Sequence, residues 1–285
     1  MPAQPGDHDR SHAPDDPSGA VPTRPAAARW AQALAGWAVP EHLEAAPASR
    51  PAWRFDVARF ARIAEHALRI DGPSRQRASQ ALEAGGAVLD VGCGAGAGSL
   101  PLVPPAGHLV GLDPQTDMLA AFAARARTLG AEVTTIEGRW PDDVGRVPEV
   151  DVVVCHHVVY GTPELATFAH ALAAPARRRV VVELTRRHPL TWLTPFWAAL
   201  HGIERPTEPS SEDAAAVLVE AGLPVVVEHW DKPRPAGVED PDEQVRFVRD
   251  RLRLGPERDE EIRELLDEHP QPAHREVTTL WWDVD

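Results

Sequence analysis

Hydrophobic residues follow two different periods along this chain, and the change between them predicts the fold class. From residue 87 onward, short runs rich in Val and Leu alternate with longer stretches in which apolar residues recur at helical spacing. The runs predicted as strands are residues 87–91, 108–113, 131–136, 151–155, 179–185, 224–230 and 276–282. Nearly continuous apolar strands separated by helices are typical of a mostly parallel sheet covered on both faces. The pattern therefore predicts an α/β fold with a doubly wound sheet.

The segment before the first strand, residues 26–86, is predicted to form a helical cover. Residues 30–39 and 56–70 have helical periodicity. Ser74 is a candidate N-cap for a third helix, which ends at a pair of glycines. Residues 1–25 are rich in Pro, Asp, Ala and Gly without an apolar period, and they predict a disordered tail.

Two later segments do not fit a simple alternation of strands and helices and are predicted to be insertions. Residues 186–210 contain Trp192, Phe196 and Trp197 at near-helical spacing, and residues 241–268 read as two charged helices. An aromatic stripe most often anchors its own helix, and a charged helix most often presents a solvated face. We favour these interpretations. The alternatives are a lid over a ligand for the first segment, and a pocket wall or a dimer contact for the second.

Charge and composition exclude several classes of protein. The chain has 285 residues, a formal net charge of −14 at pH 7 and 43% hydrophobic residues, which is ordinary for a globular protein. Such a negative charge disfavours binding to the phosphate backbone of nucleic acids. No apolar stretch approaches the ~20 residues of a membrane helix, and the first residues lack the apolar core of a secretory signal.

Cysteine and histidine usage predicts neither disulfides nor a metal site. Cys93 and Cys155 are too few for a disulfide framework or a four-cysteine zinc site. The histidines show no repeated ligand spacing, so we expect no metal. We predict a cytoplasmic, reducing environment.

A glycine-rich turn at the end of the first predicted strand is the strongest functional signal. The sequence VLDVGCGAGAG spans residues 88–98, and the second strand ends in Asp113, 21 positions after Gly92. Glycines at such a turn let the backbone approach a ligand, and an acid about 20 residues later binds ribose hydroxyls in open α/β sheets. Asp113 is also a candidate cap for the helix that follows it.

Two families of nucleotide-binding proteins fit this turn. The dehydrogenase pattern G-x-G-x-x-G/A is met by Gly92, Gly94 and Ala97, and the D-x-G-x-G pattern of class I S-adenosylmethionine-dependent methyltransferases is met by Asp90, Gly92 and Gly94. The chain resembles the methyltransferases more closely. VLDVGCGAGAG is similar to their first motif, VGLDPQTDML to their second, and EVDVVVCHHVVY to their fourth strand and the loop after it.

This resemblance covers roughly residues 53–285 and implies a specific fold and cofactor. The family sheet is seven-stranded and Rossmann-like, with the order 3-2-1-4-5-7-6 and an antiparallel seventh strand. It implies one methyltransferase domain over residues 26–285 and S-adenosyl-L-methionine as the cofactor.

The resemblance also implies which residues contact the cofactor. The methionine end would lie against the glycine turn, and Asp113 would bind the ribose. Met118 would pack on the adenine, and Arg139 and Trp140 would flank it. Cys155 and His156 would line the methyl-bearing end. The implied set is Asp90, Gly92, Cys93, Gly94, Asp113, Pro114, Met118, Arg139, Trp140, Cys155 and His156. Arg139 departs from the family, in which many members carry an acid after the third strand.

Two adjacent histidines are the candidate catalytic residues. His156 and His157 end the fourth predicted strand, where α/β folds place ligands. A histidine can take a proton from a hydroxyl or an amine; a hydrogen-bonded loop position is the alternative. If strand geometry continues, the two side chains point to opposite faces. The predicted substrate pocket consists of Phe60, Tyr160, Trp192 and Trp197; for Tyr160, a core position with a satisfied hydroxyl is equally ordinary.

The function that the sequence favours is methyl transfer to an O, N or C atom of a small molecule. The alternatives are an RNA or protein methyltransferase, a nicotinamide-dependent dehydrogenase, and a methyltransferase-like binding domain without activity. We expect no membrane partner, and a homodimer is compatible with the sequence.

Overall fold

The computed structural model describes residues 24–44, 55–234 and 240–284. The predicted tail over residues 1–25 lies almost entirely outside the described residues. The strands are β1 (Ala87–Val91), β2 (His108–Asp113), β3 (Glu132–Glu137), β4 (Val150–His156), β5 (Ala176–Thr185), β6 (Val226–Pro233) and β7 (His274–Asp283). They form one sheet of order β3-β2-β1-β4-β5-β7-β6. Strand β7 is antiparallel to β5 and β6, and the other neighbouring pairs are parallel. The predicted fold and strand order are confirmed.

The central strands are buried because helices cover both faces of the sheet. Leu89 of β1 and Val153 of β4 pack into one core cluster, whereas Val88 and Val152 pack into the cluster on the other face. The edge strands β3 and β6 are largely exposed. Nearly continuous apolar runs therefore mark the middle of the sheet and alternating patterns mark its edges.

The helices cover the sheet and form a separate group beside it. They are α1 (Ala26–Ala35), α2 (Glu41–Glu44), α3 (Val57–Ala67), α4 (Pro73–Gln80), α5 (Thr116–Thr128), α6 (Leu165–Ala173), α7 (Thr194–His201), α8 (Ser211–Glu220), α9 (Pro241–Leu252) and α10 (Asp259–Glu268). None of the described helices is both long enough and apolar enough to cross a membrane. After the glycine turn, the chain forms only a short 3-10 turn, Leu100–Leu102.

The predicted N-cap of α4 is wrong. Gly72 occupies that position, and Pro73 is the first helical residue, where its fixed φ suits the first turn. Ser74 is buried instead, and its hydroxyl oxygen lies 2.7 Å from that of Thr279 in β7. This serine ties α4 to the sheet.

The two predicted insertions pack against each other. Phe196 of α7 and Val248 of α9 are fully buried in a third apolar cluster, so the anchoring interpretation of the aromatic stripe is confirmed for Phe196. The interpretation of residues 241–268 as a solvated face is wrong for one side of α9, because Val245 and Leu252 are also buried there. Together α7, α9 and α10 build a helical wall beside the carboxyl ends of the strands.

Candidate active site

The glycine turn after β1 allows side chains to approach the backbone very closely. Gly92 and Gly94 have φ values of 69° and 48°, in a region that glycine adopts without strain. A Cβ on Gly92 would lie 2.5 Å from Cγ2 of Val158, and a Cβ on Gly94 would lie 2.9 Å from Cδ1 of Phe60. Only glycine at these two positions lets Val158 and Phe60 lie against the turn.

Asp113, at the end of β2, fixes the shape of this turn. Its Oδ2 accepts a hydrogen bond from the backbone N–H of Gly94 at 2.9 Å, and its Oδ1 accepts one from Gln115 at 2.8 Å. Burial raises the pKa of Asp113, and these hydrogen bonds oppose the rise. Each carboxylate oxygen can still accept a second hydrogen bond. Gln115 is the N-cap residue of α5, so the alternative role of Asp113 as that cap is wrong.

Asp90 is a carboxylate buried beneath the turn. Its side chain is 2% exposed, and its Oδ2 accepts a hydrogen bond from the hydroxyl of Ser99 at 2.6 Å. Burial raises the pKa of Asp90 to about 7, although the hydrogen bonds from Ser99 oppose the rise. A cation beside Asp90 would favour its ionised form.

Three of the residues predicted to contact the cofactor are part of the core. Cys93, Met118 and Cys155 are almost fully buried. Burial raises the pKa of both thiols well above the usual range, and the charge of Asp90 adds to this. Cys93 and Met118 pack into the core cluster on one face of the sheet and Cys155 into the cluster on the other face, and none of the three provides a reactive group.

The two residues predicted to flank the adenine lie at the end of β3. Arg139 is exposed, and its positive charge reaches Asp113, where it lowers the pKa. The indole N–H of Trp140 donates to the backbone carbonyl of Phe168 at 3.3 Å. Trp140 is therefore held toward α6, whereas the charge of Arg139 acts on Asp113.

The predicted histidine pair occupies a strand end at which regular geometry stops. Strand β4 ends at His156, and His157 has a φ of 61°, so the condition for opposite-facing side chains is not met. Nε2 of His157 lies 3.0 Å from Oε1 of Glu183 and 3.0 Å from a guanidinium nitrogen of Arg275. His156 faces the glycine turn, and its Cγ lies 3.3 Å from where a Cβ on Gly98 would be.

Burial lowers the pKa of His156 to about 4. The imidazole of His157 is one-third exposed, and its partial burial and the charge of Arg275 lower its pKa. Both imidazoles are therefore neutral at pH 7. Nε2 of His156 is buried with no hydrogen-bond partner among the described residues. By contrast, His157 is held by its ionic neighbours.

Those ionic neighbours were missed by the sequence analysis. Glu183 is buried in β5, and Nζ of Lys232 in β6 lies 2.5 Å from its Oε1. Burial raises the pKa of Glu183, but Lys232, His156 and His157 together outweigh this effect and hold the pKa well below the usual range. The available signals were an acid inside the apolar run RVVVELT and the single lysine of the chain.

A cavity of about 460 Å³ lies beside the glycine turn, between α3, α9 and the segment 186–210. Phe60 lines this cavity and also lies against Gly94, so the two sites are adjacent. The aromatic lining residues are Trp37, Phe55, Phe60, Trp197 and Phe247. The volume falls within the roughly 300–1,000 Å³ that is typical of small-molecule sites.

The rest of the cavity wall is strongly charged. The charged lining residues are Asp56, Arg59, Arg205, Glu243, Arg246, Arg249, Asp250, Arg251 and Arg253. Six arginines thus face three acidic residues, in a chain whose net charge is −14. The cavity is a basic site in an acidic protein.

Two residues predicted for the substrate pocket lie outside the cavity lining. Tyr160 is buried, and its hydroxyl donates to the backbone carbonyl of Thr185 at 2.7 Å. Burial raises its pKa. Trp192 packs on the ring of Phe247 at a centroid distance of 6.1 Å. It supports the cavity wall from behind, whereas the predicted residues Phe60 and Trp197 line the cavity itself.

Comparison with known proteins identifies the central part of the chain. Residues 88–178 match the family described as "Methyltransferase domain". An uncharacterized protein of Haemophilus influenzae is 33% identical over 104 residues, which are 36% of this chain and 38% of that protein. The match thus spans well under half of that relative.

One of two similar solved structures shows the same fold. The YcgJ protein of Bacillus subtilis is 18% identical, with a TM-score of 0.50, over 77% of this chain and 98% of that one. A SAM-dependent methyltransferase from Thiobacillus denitrificans, solved in complex with S-adenosyl-L-homocysteine, is 22% identical over 81% of this chain and all of that one, with a TM-score of 0.49. Residues 88–178 therefore match a methyltransferase domain, and the chain has the fold of the YcgJ protein.

Proposed function

We propose that this protein transfers a methyl group from S-adenosylmethionine to a small molecule bound in the cavity beside the glycine turn. The observation that carries the proposal is the position of Phe60, which lies against Gly94 and also lines the cavity. A cofactor on the turn and a small molecule in the cavity would therefore be neighbours.

The residues at the turn fit the cofactor. Asp113 has remaining acceptor capacity for two ribose hydroxyls, and Arg139 lies nearby. Asp90 is a buried carboxylate whose ionised form gains from a cation, and the ammonium group of S-adenosylmethionine is such a cation. When bound, the cofactor supplies a methyl group already activated on a sulfonium.

The enzyme residues then contribute mainly orientation and exclusion of water. Holding two reactants in line can supply roughly 7–11 kcal/mol of the barrier. Helices α3 and α9 and the segment 186–210 enclose the cavity, and they would keep water from the reacting atoms. The cavity volume of about 460 Å³ supports a small methyl acceptor over a macromolecular one.

His156 is our preferred candidate for the proton acceptor, with His157 as the predicted alternative. His156 is neutral at pH 7, lies beside the glycine turn and has a buried Nε2 without a partner among the described residues. His157 is engaged by Glu183 and Arg275, which suits a positioning role. A general base contributes about 10²–10⁴-fold where the methyl acceptor loses a proton.

Calorimetric titration with S-adenosylmethionine tests the cofactor half of the proposal. We expect saturable binding to the wild type and a loss of about ten- to a hundredfold in affinity for Asp113→Ala, because hydrogen bonds to a charged group contribute about 1.5–3 kcal/mol each.

Glu132→Gln is a matched control, because Glu132 is an exposed carboxylate at the opposite end of the neighbouring strand β3. Its affinity should equal that of the wild type. A folded wild type that does not bind S-adenosylmethionine would refute the proposed function. Equal affinities for Asp113→Ala and the wild type would refute the assigned site.

A further inference from the structure

The basic wall of the cavity contains a guanidinium that is stacked between two indole rings. The Cζ of Arg205 lies 5.3 Å from the ring centroid of Trp37 and 4.9 Å from that of Trp197. Arg205 also donates to the backbone carbonyls of Trp37 and Ala38, at 2.6 and 3.1 Å. Its Nε is buried without a partner in the described part of the chain. All of these contacts are with neutral groups, so the charge of Arg205 is not neutralised by them.

Two arginines at the end of α9 have no ionic partner among the residues that the structure describes. Arg251 lies over the ring of Phe247, 5.2 Å from the centroid, and forms no ion pair with any carboxylate in the described ranges. Arg253 follows as the C-cap of α9, and its Nε is buried without a partner among those residues. Burial lowers the pKa of Arg251, and the charges of Arg253 and Arg59 add to this effect.

Arg249 lies on the same helix and lines the same cavity, but its charge is neutralised by a carboxylate. Its Nη1 donates to both oxygens of Asp259, at 2.9 and 2.8 Å. A carboxylate thus neutralises Arg249, whereas Arg251 and Arg253 are partly buried and have no paired carboxylate among the described residues.

We propose that the methyl acceptor carries an oxyanion, such as a carboxylate, which binds Arg251 and Arg253 while its apolar body packs against the aromatic wall. This inference rests on the proposed function. A guanidinium offers two parallel N–H donors that match the oxygens of an oxyacid. The aromatic residues Phe60 and Trp197 provide flat apolar surfaces in the same cavity. The cavity therefore selects a planar or apolar acid over a neutral molecule of the same size.

A matched pair of fluorescent probes tests this selection. Anilinonaphthalene sulfonate has an aromatic body with an oxyanion, and phenylnaphthylamine has the same body without it. For the wild type we expect about ten- to a hundredfold tighter binding of the sulfonate, the equivalent of one charge-assisted hydrogen bond. Equal affinity for the two probes would overturn the proposal.

Substitutions of single arginines test which residues cause the preference for the sulfonate probe. Arg251→Met should lower sulfonate affinity about tenfold and leave phenylnaphthylamine unchanged, and Arg251→Lys should lie between. Arg253→Met is an independent second variant should Arg251→Met fail to fold, as judged by circular dichroism. Arg127→Met removes an exposed arginine on α5 and should change neither probe.

Titration with S-adenosylmethionine separates this inference from the function on which it rests. We expect Arg251→Met to bind the cofactor as the wild type does. Weaker cofactor binding with an unchanged probe preference would assign these arginines to the carboxylate of the cofactor and overturn the proposal. A sulfonate preference in a wild type that does not bind the cofactor would support an anion site while refuting methyl transfer.

Discussion

The two halves of the candidate site are built in opposite ways. The glycine turn consists of closely packed backbone and two carboxylates, Asp90 and Asp113, at the ends of buried parallel strands. The cavity is lined by side chains, most of them aromatic rings and arginines, which lie outside the sheet. One half therefore depends on backbone shape and negative charge, whereas the other depends on side-chain identity and positive charge.

This difference predicts which substitutions the glycine turn and the cavity each tolerate. The glycine turn has little freedom, because Val158 and Phe60 occupy the space that any side chain would need. The cavity wall has much more freedom, since its residues do not take part in strand pairing.

Gly92→Ala should cause the largest loss. The substitution places a Cβ 2.5 Å from Val158 at a φ of 69°, and backbone strain and overpacking each cost about 1–3 kcal/mol. We expect a lower melting temperature and loss of measurable S-adenosylmethionine binding.

The double variant Gly92→Ala/Val158→Ala should recover part of the stability, because it removes the clash but not the strained φ. Gly145→Ala is the control, since a Cβ there meets no atom within 4 Å, and it should melt with the wild type. If Gly92→Ala also melts with the wild type, the turn is not as constrained as described.

Asp90 should release a proton when the cofactor binds. Its pKa is raised to about 7 by burial, and a neighbouring cation would lower that pKa. Calorimetry at pH 7 in buffers of different ionisation enthalpy should therefore report release of about half a proton. Asp90→Asn should abolish this buffer dependence. Binding enthalpies that do not vary with buffer in the wild type would contradict a cation beside Asp90.

His156 should make stability sensitive to mild acid. Its pKa is lowered from 6.5 to about 4 by burial, so the folded state gains from a neutral imidazole above pH 6.5 and loses that gain as the pH falls toward 4. Urea denaturation at pH 7 and pH 5 should show a smaller loss of stability for His156→Gln than for the wild type. An identical loss in both proteins would show that another group controls this range.

The ion pair between Arg62 of α3 and Glu243 of α9 should have the smallest effect. Both side chains are partly exposed, at 38% and 26%, and such pairs contribute about 0–1 kcal/mol. Arg62→Met should change the melting temperature by no more than a few degrees and leave cofactor affinity unchanged. A large loss of stability would mean that α3 and α9 depend on this contact more than on their apolar packing.

The contrast between buried and exposed elements explains which strand bounds could be predicted from the sequence. Strands β1 and β2 have the predicted bounds, since buried strands carry uninterrupted apolar runs, and the turn with Asp113 is one contiguous motif. Strand β6 extends to Pro233, past the predicted end at residue 230, because an exposed edge strand accepts Asp231 and Lys232.

The charged parts of the site could not be predicted because their partners are distant in sequence. Glu183 and Lys232 lie 49 residues apart and meet only across β7. On α9, Arg251 has the same local pattern as a solvated arginine. Only its placement against the segment 186–210 and α3 turns it toward a cavity. Periodicity identifies which face of a helix is apolar, but it does not show where a charged face is enclosed.

Phe60 gives the two halves a common element. One ring lies against Gly94 on one side and forms part of the cavity wall on the other. A ligand that shifts this ring from either side changes the space available on the other side. By linkage, cofactor and methyl acceptor must then alter each other's affinity by the same factor, so the order in which they bind affects the rates and not the final occupancy.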